Sequence, residues 1–181
     1  VDTEYFSPAH EYPNPYPADE AVMVFTGAMD YWPNIDAVQW FAQEILPAVL
    51  AKNPDARFYI VGSRPSPQVQ SLASLAGVYV TGAVPDIRPY LAHARIAVAP
   101  LRIARGIQNK VLEAMAMAKP VIASTQALEG IAANIGEEAL LARDSSEFIA
   151  TVSTLLQHPQ NNLGQAARAR VLADYTWERN F

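Results

Sequence analysis

A basic segment at residues 99–118 (APLRIARGIQNKVLEAMAMA) carries the side chains best suited to chemistry. Arg102, Arg105 and Lys110 bring three of the thirteen basic residues into nine positions. Gly106 lets a ligand approach the backbone closely, and a helical pattern begins directly after it. Unpaired amide groups and a partial positive charge at a helix start favour anions such as phosphate. The segment therefore predicts an anion-binding turn.

A polar face continues from this turn along the predicted helix. Asn109, Lys110 and Glu113 are spaced three or four residues apart and share one side of it. A carboxylate roughly 4–5 Å along the axis from a bound phosphate can accept hydrogen bonds from sugar hydroxyls. These groups describe a nucleoside diphosphate site, with phosphates at the helix start and ribose against Glu113. Lys110 and Glu113 are also compatible with a solvated ion pair on an ordinary helix, and the residues alone leave both interpretations open.

Short apolar strands alternate with amphipathic helices between residues 21 and 158, and these elements must position the site. Strands rich in β-branched residues and without strict alternation are expected at 22–26, 57–61, 78–81, 95–99, 120–123 and 139–142. Helices are expected at 34–51, with a kink at Pro47, at 107–118 and at 145–157. The alternation predicts a Rossmann-like, doubly wound parallel α/β sheet of about six strands with helices on both faces. Ligands of such sheets bind at the carboxyl ends of the strands.

Two flanking segments differ from this pattern. Residues 1–20 are proline-rich and lack apolar periodicity, which predicts a semi-rigid interdomain linker. Residues 159–181 predict a polar helical tail, and we expect its Tyr175, Trp177 and Phe181 to pack on another surface. The opening VDTEYFSP resembles the middle of a gene product, so we expect a further N-terminal domain outside this chain.

Composition narrows the possible classes of protein. The net charge of -5 and a pI near 5.1 argue against a nucleic-acid binder. The sequence contains no cysteine, which rules out disulfides and thiolate metal sites and favours a cytoplasmic location. It contains no Asp-x-Asp, no metal-type histidine spacing and no Gly-x-Gly-x-x-Gly after the first strand. We therefore expect neither a bound metal nor a nicotinamide cofactor.

Several segments resemble one enzyme family. NKVLEAMAMAKPVIAS (109–124) resembles the signature of glycosyltransferase family 4, the group 1 enzymes with the two-domain GT-B fold. FTGAMDYWPN (25–34) is similar to the family's first glycine loop, and VTGAVPDIRPYLAHA (80–94) to its base-contacting loop and helix. VDTEYFSP (1–8) is similar to linkers that precede the second domain of the family. The segment LRIARGIQNKVLEAMAM resembles sugar transferases of bacterial exopolysaccharide loci.

The resemblance implies that the chain is the donor-binding half of a retaining glycosyltransferase. Such an enzyme transfers a sugar from a nucleoside-diphosphate sugar to a glycan or lipid-linked acceptor, with no obligatory metal. Glu113 matches the glutamate that holds the ribose, Gly27 the glycine that faces the diphosphate, and Val84 the backbone that contacts the base. Arg64 falls near a position that is often basic and directed at phosphate. The resemblance also implies an acceptor-binding N-terminal domain and a whole enzyme that can associate peripherally with a membrane.

The chain also departs from the family pattern. Arg105 stands where the family has a glutamate that usually contacts the donor sugar. The first glycine loop, often basic in the family, offers only Ala28, Met29 and Asn34. We therefore expect Arg105 and Lys110 to supply the charge that faces the phosphates. Two alternatives are half of a nucleotide-sugar epimerase and a non-enzymatic α/β interaction module.

Overall fold

A parallel sheet of six strands forms the centre of the protein, whose computed structural model describes residues 1–176. The strands are β1 (Ala21–Thr26), β2 (Ala56–Val61), β3 (Val78–Gly82), β4 (Ile96–Ala99), β5 (Val121–Ala123) and β6 (Leu140–Leu141). Their order in the sheet is β3-β2-β1-β4-β5-β6, and each neighbouring pair is parallel. The predicted fold class is confirmed, although β6 is two residues long where four were expected.

Strand β1 lies at the centre of this order and is buried along its whole length. Its neighbours are β2 on one side, where Val24 faces Tyr59, and β4 on the other, where Val24 faces Ala97. A strand covered on both faces needs continuous apolar sequence, which the segment AVMVFT supplies. The chain leaves β1 toward β2 and β3 and later returns to the opposite side of β1 as β4. The strand order therefore reverses beside β1, at its border with β4.

Eight α-helices connect and follow the strands within the described residues. They are α1 (Trp32–Trp40), α2 (Leu46–Lys52), α3 (Pro67–Ser71), α4 (Arg88–Ala92), α5 (Asn109–Ala116), α6 (Thr125–Leu128), α7 (Ser145–Gln157) and α8 (Asn161–Asp174). The single helix predicted at 34–51 consists of α1, a π-helical turn at Phe41–Ile45, and α2. Pro47 lies two residues after that turn, as the second residue of α2. Its missing N–H and its ring, which crowds the carbonyl four residues earlier, account for the change in hydrogen-bond register.

The helix that carries the predicted site is shorter than expected. We predicted a helix at 107–118, whereas α5 spans Asn109–Ala116. Gln108 is extended (φ -84°, ψ 106°), so the helix begins one residue after it. Ala118 adopts a left-handed conformation (φ 57°), which ends the helix. Gly106 therefore lies in an irregular loop and not at the first turn of α5.

Aromatic side chains fill one layer of the core. Phe41 of the π-helical turn packs on Phe58 of β2, with ring centroids 4.5 Å apart. Phe148 of α7 meets the ring of Phe41 edge-on at 6.2 Å. All three side chains are fully buried. This layer ties the π-helical turn and α7 to the sheet.

Residues 1–20 contain neither helix nor strand, yet part of the segment is buried. Phe6 is 9% exposed and Tyr16 is 7% exposed. Arg168 of α8 donates hydrogen bonds to the carbonyl oxygens of Phe6 (3.0 Å) and Ala116 (2.6 Å). The segment therefore lies against the domain through its side chains and backbone, and its role as an interdomain linker remains a prediction.

The helical tail is present as α8. Tyr175 follows it, and the Tyr175 hydroxyl accepts a hydrogen bond of 2.7 Å from the Ala132 amide. The predicted packing of Trp177 and Phe181 falls outside the described residues. Within residues 1–176, no helix has both the length and the apolar composition that crossing a membrane requires.

Candidate functional site

A cavity of about 420 Å³ opens at the carboxyl ends of β1, β2 and β3. The strand ends and the loops that follow them form most of its wall, and the first turns of α5 close another side. The lining residues are Thr26, Gly27, Val61, Gly62, Ser63, Ala83, Val84, Ile87, Asn109, Lys110 and Glu113. The cavity lies beside the reversal in strand order, where open α/β sheets bind their ligands.

Two glycines leave room for a ligand at the strand ends. Gly27 (φ 154°) follows β1 and Gly62 (φ 158°) follows β2. A Cβ atom on Gly62 would overlap the carbonyl oxygen of Gly27. A Cβ atom on Gly27 would lie 2.7 Å from Asn34 Nδ2 and 3.1 Å from Lys110 Nζ. Backbone, and not side chains, therefore forms this wall of the cavity, which lets a ligand approach closely.

Lys110 brings a positive charge to the cavity from the first turn of α5. Its Nζ donates a hydrogen bond of 2.9 Å to Asn34 Oδ1 and lies 5.0 Å from the centre of the Phe25 ring. Burial lowers the pKa of Lys110 from 10.5 to about 8, and the attraction of Glu113 opposes that shift. At neutral pH the side chain is therefore a largely desolvated cation, and such a cation binds an anion favourably.

Asn34 connects this lysine to the loop after β1. The side chain is 4% exposed, and its Nδ2 donates a hydrogen bond of 3.0 Å to the Ala28 carbonyl oxygen. From the sequence, Asn34 was predicted only to lack the positive charge that the family often has in this loop. One signal was available: Asn34 lies on the same helical stripe as the apolar Val38 and Phe41, which marks a buried polar position.

Glu113 supplies the acidic group of the cavity, one turn of α5 beyond Lys110. The side chain is partly buried, and desolvation raises the pKa of its carboxyl, while the nearby charge of Lys110 lowers it. The two groups thus interact through space while both border the cavity. A carboxylate in this position can accept two hydrogen bonds from a diol.

Apolar groups form the far end of the cavity, after β3. Ala83 and Val84 follow the strand, and Ile87 precedes α4. Ala83 is exposed, and Val84 and Ile87 are half-buried. The cavity therefore runs from a cationic end at Lys110 to an apolar end at Val84 and Ile87, with the carboxylate of Glu113 on the α5 side.

Five of the eight residues that the sequence assigned to the site line this cavity: Gly27, Val84, Asn109, Lys110 and Glu113. Arg64, Arg105 and Gly106 do not line it. Arg64 instead pairs with Asp30 across the neighbouring loop, at 3.1 Å. Arg105 is exposed on the loop between β4 and α5. The structure thus places one of the two expected cations at the cavity wall, and the part assigned to Arg105 remains a prediction.

Arg102, the remaining basic residue of the segment 99–118, forms an ion pair with α1. Arg102 donates two hydrogen bonds to the Asp36 carboxylate of α1, at 2.6 and 3.0 Å. Asp36 is buried, whereas the Arg102 side chain is half exposed. This bidentate pair fixes the beginning of the β4–α5 loop, and the hydrogen bond between Lys110 and Asn34 fixes its end.

The described residues contain no group of three histidine or acidic side chains that could hold a metal ion.

Comparison with known proteins identifies a matching family. A model of the family "Glycosyl transferases group 1" matches residues 20–158, which is most of the chain. No curated protein sequence matched the chain.

Several solved structures share the fold at low sequence identity. A glycosyltransferase from Rickettsia africae ESF-5 is 16% identical over 99% of this chain and 52% of its own length, with a TM-score of 0.79. The C-terminal domain of LpcC, a glycosyl transferase group 1 family protein from Francisella tularensis, is 19% identical over 98% of this chain and 99% of its own, with a TM-score of 0.75. Anabaena HepE in complex with UDP is 17% identical over 96% of this chain and 50% of its own, with a TM-score of 0.68. The chain thus spans about half the length of the Rickettsia and Anabaena proteins.

Proposed function

This chain belongs to the glycosyl transferases group 1 family, and we propose that it binds the nucleoside-diphosphate sugar donor of a two-domain glycosyltransferase. The observation that carries this proposal is the cavity at the strand ends. Lys110 and Glu113 line it together with the backbone of Gly27 and Gly62. The UDP complex of the Anabaena neighbour supports a diphosphate ligand for this fold. The lengths of the Rickettsia and Anabaena neighbours support a second domain that binds the acceptor.

The donor's groups match the polarity of the cavity from one end to the other. The diphosphate lies against Lys110, the amides at the start of α5 and the backbone of Gly27, since these groups favour anions. The ribose hydroxyls donate to Glu113. The base lies on the apolar side near Val84 and Ile87 and uses backbone groups there for its hydrogen bonds.

Lys110 would also act during transfer. The bond between the sugar's anomeric carbon and the β-phosphate oxygen breaks, and the acceptor hydroxyl oxygen forms the new glycosidic bond. The hydroxyl proton leaves to a base or to the departing diphosphate, and the nucleoside diphosphate is released. Lys110 and the start of α5 stabilise the negative charge that develops on the leaving group. Retention of anomeric configuration, absence of a metal requirement and a glycan or lipid-linked acceptor belong to the same proposal.

A role in bacterial exopolysaccharide synthesis, a cytoplasmic location and peripheral membrane contact of the whole enzyme are further parts of the proposal. They rest on the sequence resemblance at 101–117 and on the composition of the chain. The proposal also assigns Arg105, on its exposed loop, as a second cation that faces the phosphates.

A binding panel tests the proposal. We expect one of UDP, GDP, ADP and TDP to raise the Tm of this chain, with the concentration dependence of a single site. Lys110→Ala should abolish the effect, and Lys52→Ala, which removes an exposed lysine from α2, should preserve it. If no nucleotide stabilises the chain at millimolar concentration, the interaction-module alternative gains and the donor-site proposal fails. Unchanged affinity in both Arg105→Ala and Lys110→Ala would reject the assigned phosphate contacts.

A further inference from the structure

The first turns of α1 hold both ends of the loop between β4 and α5, but they use different chemistry at each end. Asp36 pairs its carboxylate with the Arg102 guanidinium. Asn34, two residues earlier, accepts a hydrogen bond from the Lys110 ammonium with a neutral amide. We propose that Asn34 is a positioning residue that fixes the Lys110 ammonium beside Gly27 without neutralising it, so that the cation is kept for an anionic ligand. This inference rests on the proposed function and deepens it.

The orientation of the Asn34 amide is determined by its own surroundings. Its Nδ2 donates to the Ala28 carbonyl oxygen at 3.0 Å, within the loop after β1. That bond leaves Oδ1 as the end of the amide that faces Lys110, at 2.9 Å from Nζ. Because Asn34 is buried, its side chain has little freedom to turn away. The loop after β1 thereby fixes the acceptor that the lysine uses.

The position of the ammonium is restricted from two further sides. The ring of Phe25 lies 5.0 Å from Nζ. The Cα of Gly27 is so close that a Cβ there would lie 3.1 Å from Nζ. An ammonium has three N–H donors, and within the described residues Asn34 is the acceptor of its hydrogen bonds. The other donors are thus available to a ligand that enters the cavity.

A neutral partner preserves the charge, and Asp36 shows the contrast within the same helix. A carboxylate that holds a cation by two short bonds offsets its charge, which suits the structural pair of Asp36 and Arg102. At Lys110 the same arrangement would place an anion next to the proposed diphosphate. Glu113 is the titratable side chain whose charge acts on Lys110, and it is one helical turn away. An amide at position 34 therefore fixes the geometry of Lys110 without adding a second negative charge to that of Glu113.

Asn34→Asp distinguishes a positioning role from a purely structural one. The carboxylate binds the Lys110 ammonium more strongly than the amide does, but it offsets the positive charge that a ligand would use. We expect Asn34→Asp to lower the affinity for UDP, measured by calorimetry at pH 7, by about tenfold or more. The Tm should fall, because the carboxylate cannot replace the hydrogen bond that Nδ2 donates to the Ala28 carbonyl oxygen. An NMR titration of the Lys110 side chain should show a raised pKa. Asn34→Ala should also weaken UDP binding, but with a lowered pKa of Lys110. Asn53→Asp is the matched control, since it adds the same charge at the end of α2 and also removes a side-chain amide donor, which there bonds to the Val49 carbonyl oxygen.

Three results would overturn the inference: wild-type UDP affinity in Asn34→Asp, a Lys110 pKa that is the same in all variants, or an equal loss of UDP affinity in Asn53→Asp. If Asn34→Asp does not fold, Asn34→Ala with the NMR titration decides the question. The proposed function is tested separately, by nucleotide binding to the wild-type chain. A wild-type chain that binds none of the four nucleoside diphosphates contradicts the proposed function, whereas the NMR titration still tests whether Asn34 controls the charge of Lys110.

Discussion

The unusual environment of Lys110 predicts that this residue makes the folded protein less stable at neutral pH than at alkaline pH. Its pKa falls from 10.5 to about 8 on folding because burial disfavours the ammonium. The unfolded chain therefore binds the Lys110 proton more tightly than the folded chain does. The contribution of this group to stability rises as the pH increases above about 8 and is complete above its ordinary pKa of 10.5.

The size of the effect follows from the two pKa values. Their difference corresponds to about 3 kcal/mol in total, of which roughly 2 kcal/mol develops between pH 7 and pH 10. Lys110→Met removes the titration. The free energy of unfolding of wild type minus that of Lys110→Met should therefore increase by about 2 kcal/mol over this range. Affinity for UDP should change in the opposite direction in the wild type, because the cation is lost as the pH rises.

Urea unfolding of both proteins at several pH values measures this difference directly. Taking the difference cancels the tyrosines and the other lysines that titrate in the same range. Lys52→Met controls for the loss of one exposed positive charge. A difference curve for Lys110→Met that is flat from pH 7 to pH 10, or that resembles the curve for Lys52→Met, would show that the lysine is not desolvated as the structure indicates.

Three further substitutions test other parts of the site. Gly62→Ala should lower the free energy of unfolding in urea by about 1–3 kcal/mol, because the new Cβ overlaps the Gly27 carbonyl oxygen; wild-type stability would contradict the close approach. Glu113→Gln should weaken binding of UDP but not of inorganic pyrophosphate in calorimetry, since only UDP has a ribose; an equal loss for both would place the carboxylate elsewhere. Asp36→Asn should lower the free energy of unfolding by about 1 kcal/mol, and thus the Tm by about 3 °C in a thermal melt, because it weakens the bidentate bond to Arg102. An unchanged Tm would show that this ion pair is not needed to hold the loop.

The sequence was sufficient for the architecture because its signals are local and periodic. Apolar runs such as VMVFT and RFYIV needed only their composition to be identified as buried strands. The position of Lys110 and Glu113 on one face of a helix followed from their spacing. The boundaries of α5 were less predictable, since the extended Gln108 and the left-handed Ala118 depend on the surrounding loops.

Contacts between distant segments explain what the sequence could not provide. Arg102 and Arg105 are three residues apart, yet one pairs with α1 and the other points to solvent. Nothing in their spacing distinguishes them. The pairing of Asn34 with Lys110 joins residues 76 positions apart. Such pairings depend on how α1 and α5 are placed around the sheet, which pattern analysis does not determine.

The reversal of strand order beside β1 has a consequence for how this fold diversifies. A gap is present there because consecutive connections depart to opposite sides, whatever side chains surround it. Substitutions at Val84 or Ile87 can therefore change which ligand is preferred, because the cavity that they line already exists and no new cavity has to form in the core. Gly27 and Gly62 cannot be replaced in this way, because a Cβ atom at either position would clash. Substitutions that change the preferred nucleotide should therefore accumulate after β3, whereas the ends of β1 and β2 should remain unchanged.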